Sequence, residues 1–386
     1  MTTHWIDSKS GSFEEFKKLV EQKTCAEDWP MASSIEKQVL IYKGAKVRQI
    51  YEQGGDELLS LKSEWTAAFS SGPGVILIKN AVDDMQVIDK ATKIFNDLID
   101  EEKAQNAGGA KGDHFAKPGA NDRVWNSLQK HCLKDPQNFA QYYGNQAIAL
   151  ACQAWLGDGY QMTAQVNRVN PGGNAQTAHR DFHLGFMSTE RMALFPAHVH
   201  HLSPMLTLQG AIAHVDMPLE SGPTLYLPYS QQFFEGYLAF GREEYQAYFD
   251  KHHVQMPLEK GDVALFNPAL MHGVGSNVSK DLLRMGKLIQ VSSAFGRAME
   301  TVDRQAMVKA LYPVLSGLDL SSSKIECAIA ASAEGYSFPT NLDNDPPVGG
   351  IAPKTQQQMV REALATNEDP AAFNERIDAL AKRQRA

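Results

Sequence analysis

The chain has 386 residues, of which 43% are hydrophobic and 21% are charged, which excludes collagen-like, disulfide-scaffold and wholly disordered proteins. Acidic residues outnumber basic ones by 45 to 37, and a net charge of −8 gives no overall positive field that would attract nucleic acid or an anionic membrane. Only four cysteines occur, without a CxxC pair, and the N-terminus lacks the apolar run of a signal peptide, so we expect a cytoplasmic protein with no membrane partner.

The first 158 residues are predicted to be a mainly helical region with one entry strand. Scattered apolar positions in the first seventy residues are typical of surface helices. After a Gly-Pro-Gly turn, Val75–Ile78 predicts a strand, and the apolar spacing from Met85 to Leu98 predicts an amphipathic helix. A Gly- and Asn-rich loop is expected from 106 to 122, followed by a helix near 137–156. Together with Arg123 and Trp125 this loop is either a lid over a site or an ordinary surface loop.

Residues 159–300 are predicted to be a mainly β core flanked by helices. Short β-prone segments recur between turn signals at Pro171–Gly173, Glu220–Pro223 and Lys260–Asp262, which favours a jelly roll over a parallel sheet. The predicted strands are Met162–Val169, Met205–Val215, Thr224–Leu227, Val263–Phe266 and Lys287–Phe295. The cluster of histidines at 198, 200 and 201 is assigned to a loop or a sheet edge.

Helical patterns return in residues 301–386, which form a C-terminal extension interrupted by a loop at 338–353. Neither an internal repeat nor a linker divides the chain. We therefore expect one domain over residues 1–386, with the β core at its centre.

The segment His179-Arg-Asp181-Phe-His183 carries the chemistry predicted from the residues themselves. On an extended chain, residues two apart face the same side, so His179 and Asp181 can direct a nitrogen and an oxygen at one point. His272, which follows the predicted strand Val263–Phe266, supplies a third ligand. Two histidines and one carboxylate on one face of a metal leave the opposite positions open, and this set suits Fe(II) that activates O2.

A basic residue is expected to balance the charge of the co-substrate at such a site. Iron contributes +2, Asp181 contributes −1 and a 2-oxoacid dicarboxylate contributes −2, which leaves one negative charge to neutralise. Arg284 lies at the start of the last strong strand, and its planar donor fork suits the distal carboxylate of 2-oxoglutarate. Lys287 is the alternative residue for this task.

Three segments together resemble the phytanoyl-CoA dioxygenase family of Fe(II)/2-oxoglutarate-dependent oxygenases. They are His179-Arg-Asp181-Phe-His183, the turn Gly222-Pro-Thr224-Leu-Tyr-Leu-Pro-Tyr-Ser230, and Gly261-Asp-Val-Ala-Leu-Phe266 with His272-Gly273 and Arg284 behind it. The resemblance is strong over residues 160–297 and weaker over Val75–Leu98. It implies a double-stranded β-helix, the cupin-like form of the jelly roll, with His179, Asp181 and His272 as catalytic metal ligands.

The resemblance also implies roles for other residues and the reaction itself. Arg284 would bind 2-oxoglutarate, with Gln165, Asn167 and Thr224 as further co-substrate contacts by position. His183 is a candidate substrate-binding residue, or else a histidine of the core. The cofactors implied are Fe(II), 2-oxoglutarate and O2, and the reaction hydroxylates an unactivated C–H of a small-molecule metabolite with release of succinate and CO2. Because Asp181 fills the carboxylate position, no metal site is left for a halide, which favours hydroxylation over halogenation.

Two other functions stay open from the sequence. One is a cupin-like binding protein that has kept the fold and lost turnover. The other is a metal-dependent hydrolase or isomerase that uses the same three ligands. A homo-oligomeric state is also left open.

Overall fold

Two β-sheets form the centre of the protein in the computed structural model, which describes residues 4–105 and 120–385. Most of the predicted loop, 106–119, lies outside the described residues. The strands are β1 (Ser34–Glu36), β2 (Val39–Lys43), β3 (Val75–Lys79), β4 (Asn121–Val124), β5 (Gln161–Val169), β6 (Thr207–Ala213), β7 (Thr224–Tyr226), β8 (Val254–Gln255), β9 (Val263–Phe266), β10 (His272–Val274) and β11 (Arg284–Ser292).

The larger sheet has eight strands in the order β1-β2-β3-β9-β6-β11-β5-β4, and the smaller one has the order β10-β7-β8. All neighbouring strands are antiparallel except β2 and β3. The chain crosses repeatedly from one sheet to the other between β6 and β11. As a result, residues far apart in sequence meet where the sheets approach each other, as in the isolated bridge between His179 and His272.

The central strand β11 shows how the two faces of the large sheet differ. Its odd-numbered residues Met285, Ile289 and Val291 belong to the main apolar cluster, which packs under the helices. The even-numbered residues Leu288 and Gln290 face the interior cavity instead. Because successive side chains of a strand point to opposite faces, one strand serves both the core and the site.

Helices cover the outer face of the large sheet. Phe95, Val308 and Ile377, which lie on three helices from separate parts of the sequence, all belong to the main apolar cluster. The helices are α1 (Phe13–Val20), α2 (Gly44–Gln53), α3 (Gly55–Ser70), α4 (Met85–Gln105), α5 (Ser127–Lys134), α6 (Pro136–Tyr143), α7 (Gln146–Leu156), α8 (Thr189–Met192), α9 (Ala197–Met205), α10 (Gly236–Ala239), α11 (Glu243–His252), α12 (Arg304–Leu315), α13 (Ser322–Ser332), α14 (Gln356–Thr366) and α15 (Pro370–Gln384).

The expectation of a mainly β fold is wrong. About 46% of the described residues are helical and 16% are in strands, so the protein is a mixed α/β structure around an eight-stranded sheet. Two local expectations also fail, because β1 and β2 extend the sheet within the first seventy residues and the histidines near 200 lie on α9. The strands of the core are short, and long helices are needed to cover the outer face of the sheet.

No helix within the described ranges is both long enough and apolar enough to span a lipid bilayer.

Candidate active site

Two backbone segments place His179, Asp181 and His272 side by side. The amide of His179 donates to the carbonyl of His272 at 2.9 Å, and the reverse bond is 3.1 Å long. The Nε2 atoms of His179 and His272 lie 3.6 and 3.5 Å from the Asp181 carboxylate oxygens. One potential ligand atom from each residue lies within 4.8 Å of the others. The predicted trio therefore comes together as one potential metal site.

The hydrogen bonds of the two imidazoles make their Nε2 atoms available to a metal. Nδ1 of His179 lies 2.8 Å from the carbonyl of Thr177, and Nδ1 of His272 lies 2.7 Å from the carbonyl of Leu270. A carbonyl oxygen only accepts, so each Nδ1 carries the proton and each Nε2 presents its lone pair toward Asp181. This donor set fits a divalent transition metal such as Fe(II).

The protonation states of these side chains also suit metal binding. Burial alone would raise the pKa of Asp181, but the two imidazoles, where they are protonated in the metal-free protein, and the amide of Gln209 hold that pKa well below its ordinary value. Burial, together with the neighbouring His272, lowers the pKa of His179. The carboxylate is therefore ionised and the His179 imidazole neutral at pH 7, as metal binding requires.

Neighbouring side chains hold the ligands in place. Nε2 of Gln209 on β6 donates to Oδ2 of Asp181, and the hydroxyl of Tyr237 donates to the carbonyl of Asp181 at 3.0 Å. The ring of Phe266 packs against His272 with centroids 4.7 Å apart. Each contact fixes the direction of a ligand atom.

Arg180, between two of the ligands, is buried on the other side of the chain. Its guanidinium donates to the carbonyls of Ser230 and Phe233 and lies over the ring of Tyr237. The hydroxyl of Ser230 in turn accepts from the amide of Met271, 2.8 Å away and next to His272. Arg180 thus connects the two segments that carry the ligands.

A cavity of about 560 Å³ opens beside the trio. Its wall combines the three ligand residues with carboxamide side chains and apolar groups. Further lining residues include Asn121, Arg123, Phe186, Gln209, Thr224, Leu288, Gln290 and Met299.

Arg284 and Thr224, the first two predicted co-substrate residues, lie on strands of different sheets. Arg284 begins β11 and shares the inward face of the sheet with Leu288, although it is not among the residues that line the cavity. Its Nη1 donates to the carbonyls of Ser221 and Gly275 at 3.2 and 3.4 Å, and burial lowers its pKa to about 10. Thr224 lines the cavity directly.

The other predicted binding residues are not among those that line the cavity. Gln165 and Asn167 lie on the inward face of β5, opposite Leu288 and Gly286 of β11. His183 is half-buried outside the lining of the cavity, with a backbone φ of 43°. The structure therefore does not bring these three into contact with the cavity.

Lys287, the alternative for the co-substrate, points away from the site. Its ammonium lies 2.9 Å from the hydroxyl of Ser127 and 4.0 Å from the ring centroid of Phe95, under the helices. Burial lowers its pKa well below the ordinary value. Because Lys287 lies on the opposite face of β11 from the cavity, Arg284 stays the candidate for binding the co-substrate.

The sequence reasoning missed Gln209 and Gln290, and it placed Arg123 with a loop that was either a lid or an ordinary surface loop. Arg123 instead lies on β4 and lines the cavity. The sequence did contain a clue to both glutamines, since each is a single polar residue within an otherwise apolar stretch of β6 or β11. A buried carboxamide in a strand needs a polar partner.

Several solved structures resemble the protein at low identity. The non-heme α-ketoglutarate-dependent epimerase SnoN from nogalamycin biosynthesis is 16% identical, with 61% of this chain and 82% of that chain covered and a TM-score of 0.42. The α-ketoglutarate-dependent carbocyclase SnoK from the same biosynthesis is 17% identical, with 63% and 86% covered and a TM-score of 0.40. AviO1 from Streptomyces viridochromogenes Tue57 is 17% identical, with 55% and 87% covered and a TM-score of 0.39.

A search of curated proteins finds no match. The sequence model of the phytanoyl-CoA dioxygenase family matches residues 60–286, which is more than half of the chain and includes all three ligand residues. The expected cofactors, Fe(II) and 2-oxoglutarate, are confirmed by this match together with the ligand trio. The chain belongs to the phytanoyl-CoA dioxygenase family and is an Fe(II)/2-oxoglutarate-dependent oxygenase.

Proposed function

We propose that the protein hydroxylates an unactivated C–H bond of a small-molecule metabolite. The observation that carries this proposal is the pair of imidazole Nε2 atoms that face the Asp181 carboxylate beside a cavity of about 560 Å³. Bound Fe(II) would supply the redox chemistry, in which one atom of O2 enters succinate as 2-oxoglutarate loses CO2 and the other enters the substrate as a hydroxyl group.

The residues of the chain hold and orient the reactants. His179, Asp181 and His272 would bind the metal, and the proton on each Nδ1 leaves the Nε2 atoms free to do so. Apolar side chains such as Phe266 and Leu288 form part of the cavity wall, and there they offer water no hydrogen-bond partner. With Asp181 occupying a ligand position, the site favours hydroxylation over halogenation.

Arg284 is the proposed anchor for 2-oxoglutarate. Arg284 is only 6% exposed, and among the described residues its guanidinium bonds backbone carbonyls but no carboxylate. A buried cation without an anion is costly, and a dicarboxylate co-substrate would supply the missing charge. Thr224, Gln165 and Asn167 are proposed as weaker contacts or as supports behind this position.

His183 remains a proposed substrate-binding residue. It follows Asp181 by two positions, and Phe186 of the same turn lines the cavity.

We also infer a double-stranded β-helix within one domain of residues 1–386. The alternation of strands β6 to β11 between the two sheets supports the first inference. One apolar cluster with members from residue 40 to residue 380 supports the second. In this view the helices of 1–158 and 301–386 cover the core of 159–300.

The test of this proposal is to measure 2-oxoglutarate turnover by variants of the three metal-ligand residues. We expect His179→Ala, Asp181→Ala and His272→Ala to abolish succinate formation with Fe(II) and O2, because each removes a metal ligand. The matched control is His252→Ala, an exposed histidine at the end of α11. Full turnover by His272→Ala would refute the ligand assignment. Turnover of a substrate without O2, in zinc-loaded protein, would point to a hydrolase instead.

A further inference from the structure

Four polar side chains form a diagonal row across the inward face of the large sheet. They are Gln209 on β6, Gln290 on β11, Gln165 on β5 and Arg123 on β4, and these strands are successive neighbours in the sheet. Three strand spacings separate β6 from β4, which is roughly 14 Å. The row begins beside the metal ligands, because Nε2 of Gln209 donates to Oδ2 of Asp181.

The hydrogen bonds at the far end of the row fix the direction of its amides. Nη1 of Arg123 donates to Oε1 of Gln165 at 3.3 Å, and Nε2 of Gln165 donates to Oε1 of Gln290 at 2.8 Å. The same Nε2 lies 3.7 Å from Sδ of Met299. A guanidinium can only donate and a thioether can only accept, so the oxygen of Gln165 faces Arg123 and its nitrogen faces Gln290.

The end of the row beside the metal ligands has the same direction. A carboxylate can only accept, so Gln209 turns its nitrogen toward Asp181 and its Oε1 away from it. That oxygen is buried and has no hydrogen-bond partner among the described residues. The oxygen of Gln290 is bonded to Gln165, and none of the described residues accepts a hydrogen bond from its Nε2. One link of the row is therefore open, with a donor on one side and an acceptor on the other.

The two unmatched groups lie within reach of each other. Gln209 and Gln290 are directly paired across β6 and β11, and such pairs have Cβ atoms about 5 Å apart. A buried acceptor without a partner is costly, and the nearby N–H is the complementary group. We propose that Nε2 of Gln290 donates to Oε1 of Gln209 in the working enzyme, which closes one continuous chain of hydrogen bonds from Arg123 to Asp181.

Every donor in this chain points toward Asp181, so the chain positions a metal ligand. Amides that are bonded in one direction polarise one another, which strengthens the N–H that Gln209 offers to the carboxylate. Loss of a hydrogen-bond partner behind a metal ligand weakens metal binding. Gln290 is thus a positioning residue that acts on Asp181 through Gln209. The inference rests on the ligand trio of the proposed function and adds the residues that support it.

The experiment is a double-mutant cycle in which Gln290→Met and Gln209→Met are measured alone and together. Methionine keeps roughly the size of glutamine and removes the amide. We expect Gln209→Met to weaken Co(II) binding about tenfold to a hundredfold and Gln290→Met about threefold to tenfold. In the Gln209→Met background, Gln290→Met should have no further effect, since the path to Asp181 is already broken. Titration of the full metal-free chain with Co(II), followed by visible absorption, measures all four proteins.

Gln176→Met is the matched control, because it removes the same amide elsewhere on the cavity wall. Its Co(II) affinity and visible spectrum should match those of the wild type, whereas Gln290→Met should shift the spectrum in the same direction as Gln209→Met. Urea unfolding of the metal-free proteins separates lost stability from lost metal affinity. Wild-type affinity in Gln290→Met overturns the inference. An equal loss from this substitution in the wild-type and Gln209→Met backgrounds overturns it as well.

Turnover of 2-oxoglutarate separates this inference from the proposed function. Wild-type protein that forms succinate, together with Gln290→Met protein that binds Co(II) as tightly as the wild type, refutes the chain alone. The expected coupling in the cycle, in a protein that forms no succinate with Fe(II), 2-oxoglutarate and O2, supports the chain and refutes the hydroxylase alone.

Discussion

Arg284 and Lys287 are two cations on one strand with opposite environments. Arg284 lies on the inward face, with its guanidinium bonded to the carbonyls of Ser221 and Gly275. Lys287 lies on the outward face, where the ring of Phe95 covers its ammonium. They lie three positions apart on the strand, and the alternation of side chains decides which one a co-substrate can reach.

This pair gives a matched test of co-substrate binding. We expect Arg284→Met to raise the apparent KM for 2-oxoglutarate about tenfold to a hundredfold, because a charge-assisted hydrogen bond to the carboxylate is lost. Lys287→Met should leave that KM within about twofold, and its free energy of unfolding should stay equal or rise by about 1 kcal/mol. Saturation kinetics with 2-oxoglutarate measures both. A large increase in KM for Lys287→Met would return the co-substrate role to this residue.

At the scale of elements, the short helix α10 packs against the ligand-bearing segment. Gly236 begins this helix, and a Cβ atom there would lie 1.8 Å from Cζ of Arg180. The guanidinium fills the space that a side chain would need. The helix and the segment 179–181 can therefore approach only because residue 236 has no side chain.

We expect Gly236→Ala to displace the Arg180 side chain and with it the ligand segment. Overpacking of this kind should lower the free energy of unfolding by about 1–3 kcal/mol. Affinity for Fe(II) should fall as well, because His179 and Asp181 flank Arg180. Urea unfolding and metal titration measure the two effects.

Gly241→Ala is the control for this substitution. It lies just beyond α10, and an added Cβ would meet nothing within 4 Å. Its stability and metal affinity should match those of the wild type. Equal behaviour of the two alanine variants would show that α10 does not position the ligands.

At the scale of the whole molecule, two buried histidines make the fold sensitive to acid. Burial, assisted by the charge of Lys287, lowers the pKa of His131 to about 3 and that of His214 well below its ordinary value. The unfolded chain takes up these protons near pH 6.5 and the folded chain does not, so acid favours unfolding. Both residues lie under the large sheet, away from the metal ligands.

We expect the free energy of unfolding to fall between pH 6.5 and 5 by about 2 kcal/mol for each of these histidines. Urea titrations at pH 7, 6 and 5 measure the slope. His131→Gln should show a shallower slope than the wild type, since one proton fewer is bound on unfolding. His252→Gln, at an exposed position, should keep the wild-type slope. Identical slopes for all three proteins would contradict this account.

The ligand trio was predictable from the sequence because its residues follow local rules. His179 and Asp181 share a side of an extended segment by spacing alone, and His272 follows a recognisable strand. Arg284 was predicted from charge counting, and its place on the inward face agrees with that role without testing it. The strand Val75–Lys79 and helix Met85–Gln105 also formed as expected, because their apolar periods are strong.

Only the tertiary structure decided which side chains share the cavity. Gln209 and Gln290 are 81 residues apart and meet because β6 pairs with β11 in one register. Lys287 lies on the face of its strand that points under the helices, and the helical content exceeded expectation because the outer face of the sheet needs covering. The spacing of residues along one segment decides which of its side chains share a side. Strand register and packing depend on contacts between distant segments, and no local pattern in the sequence contains those contacts.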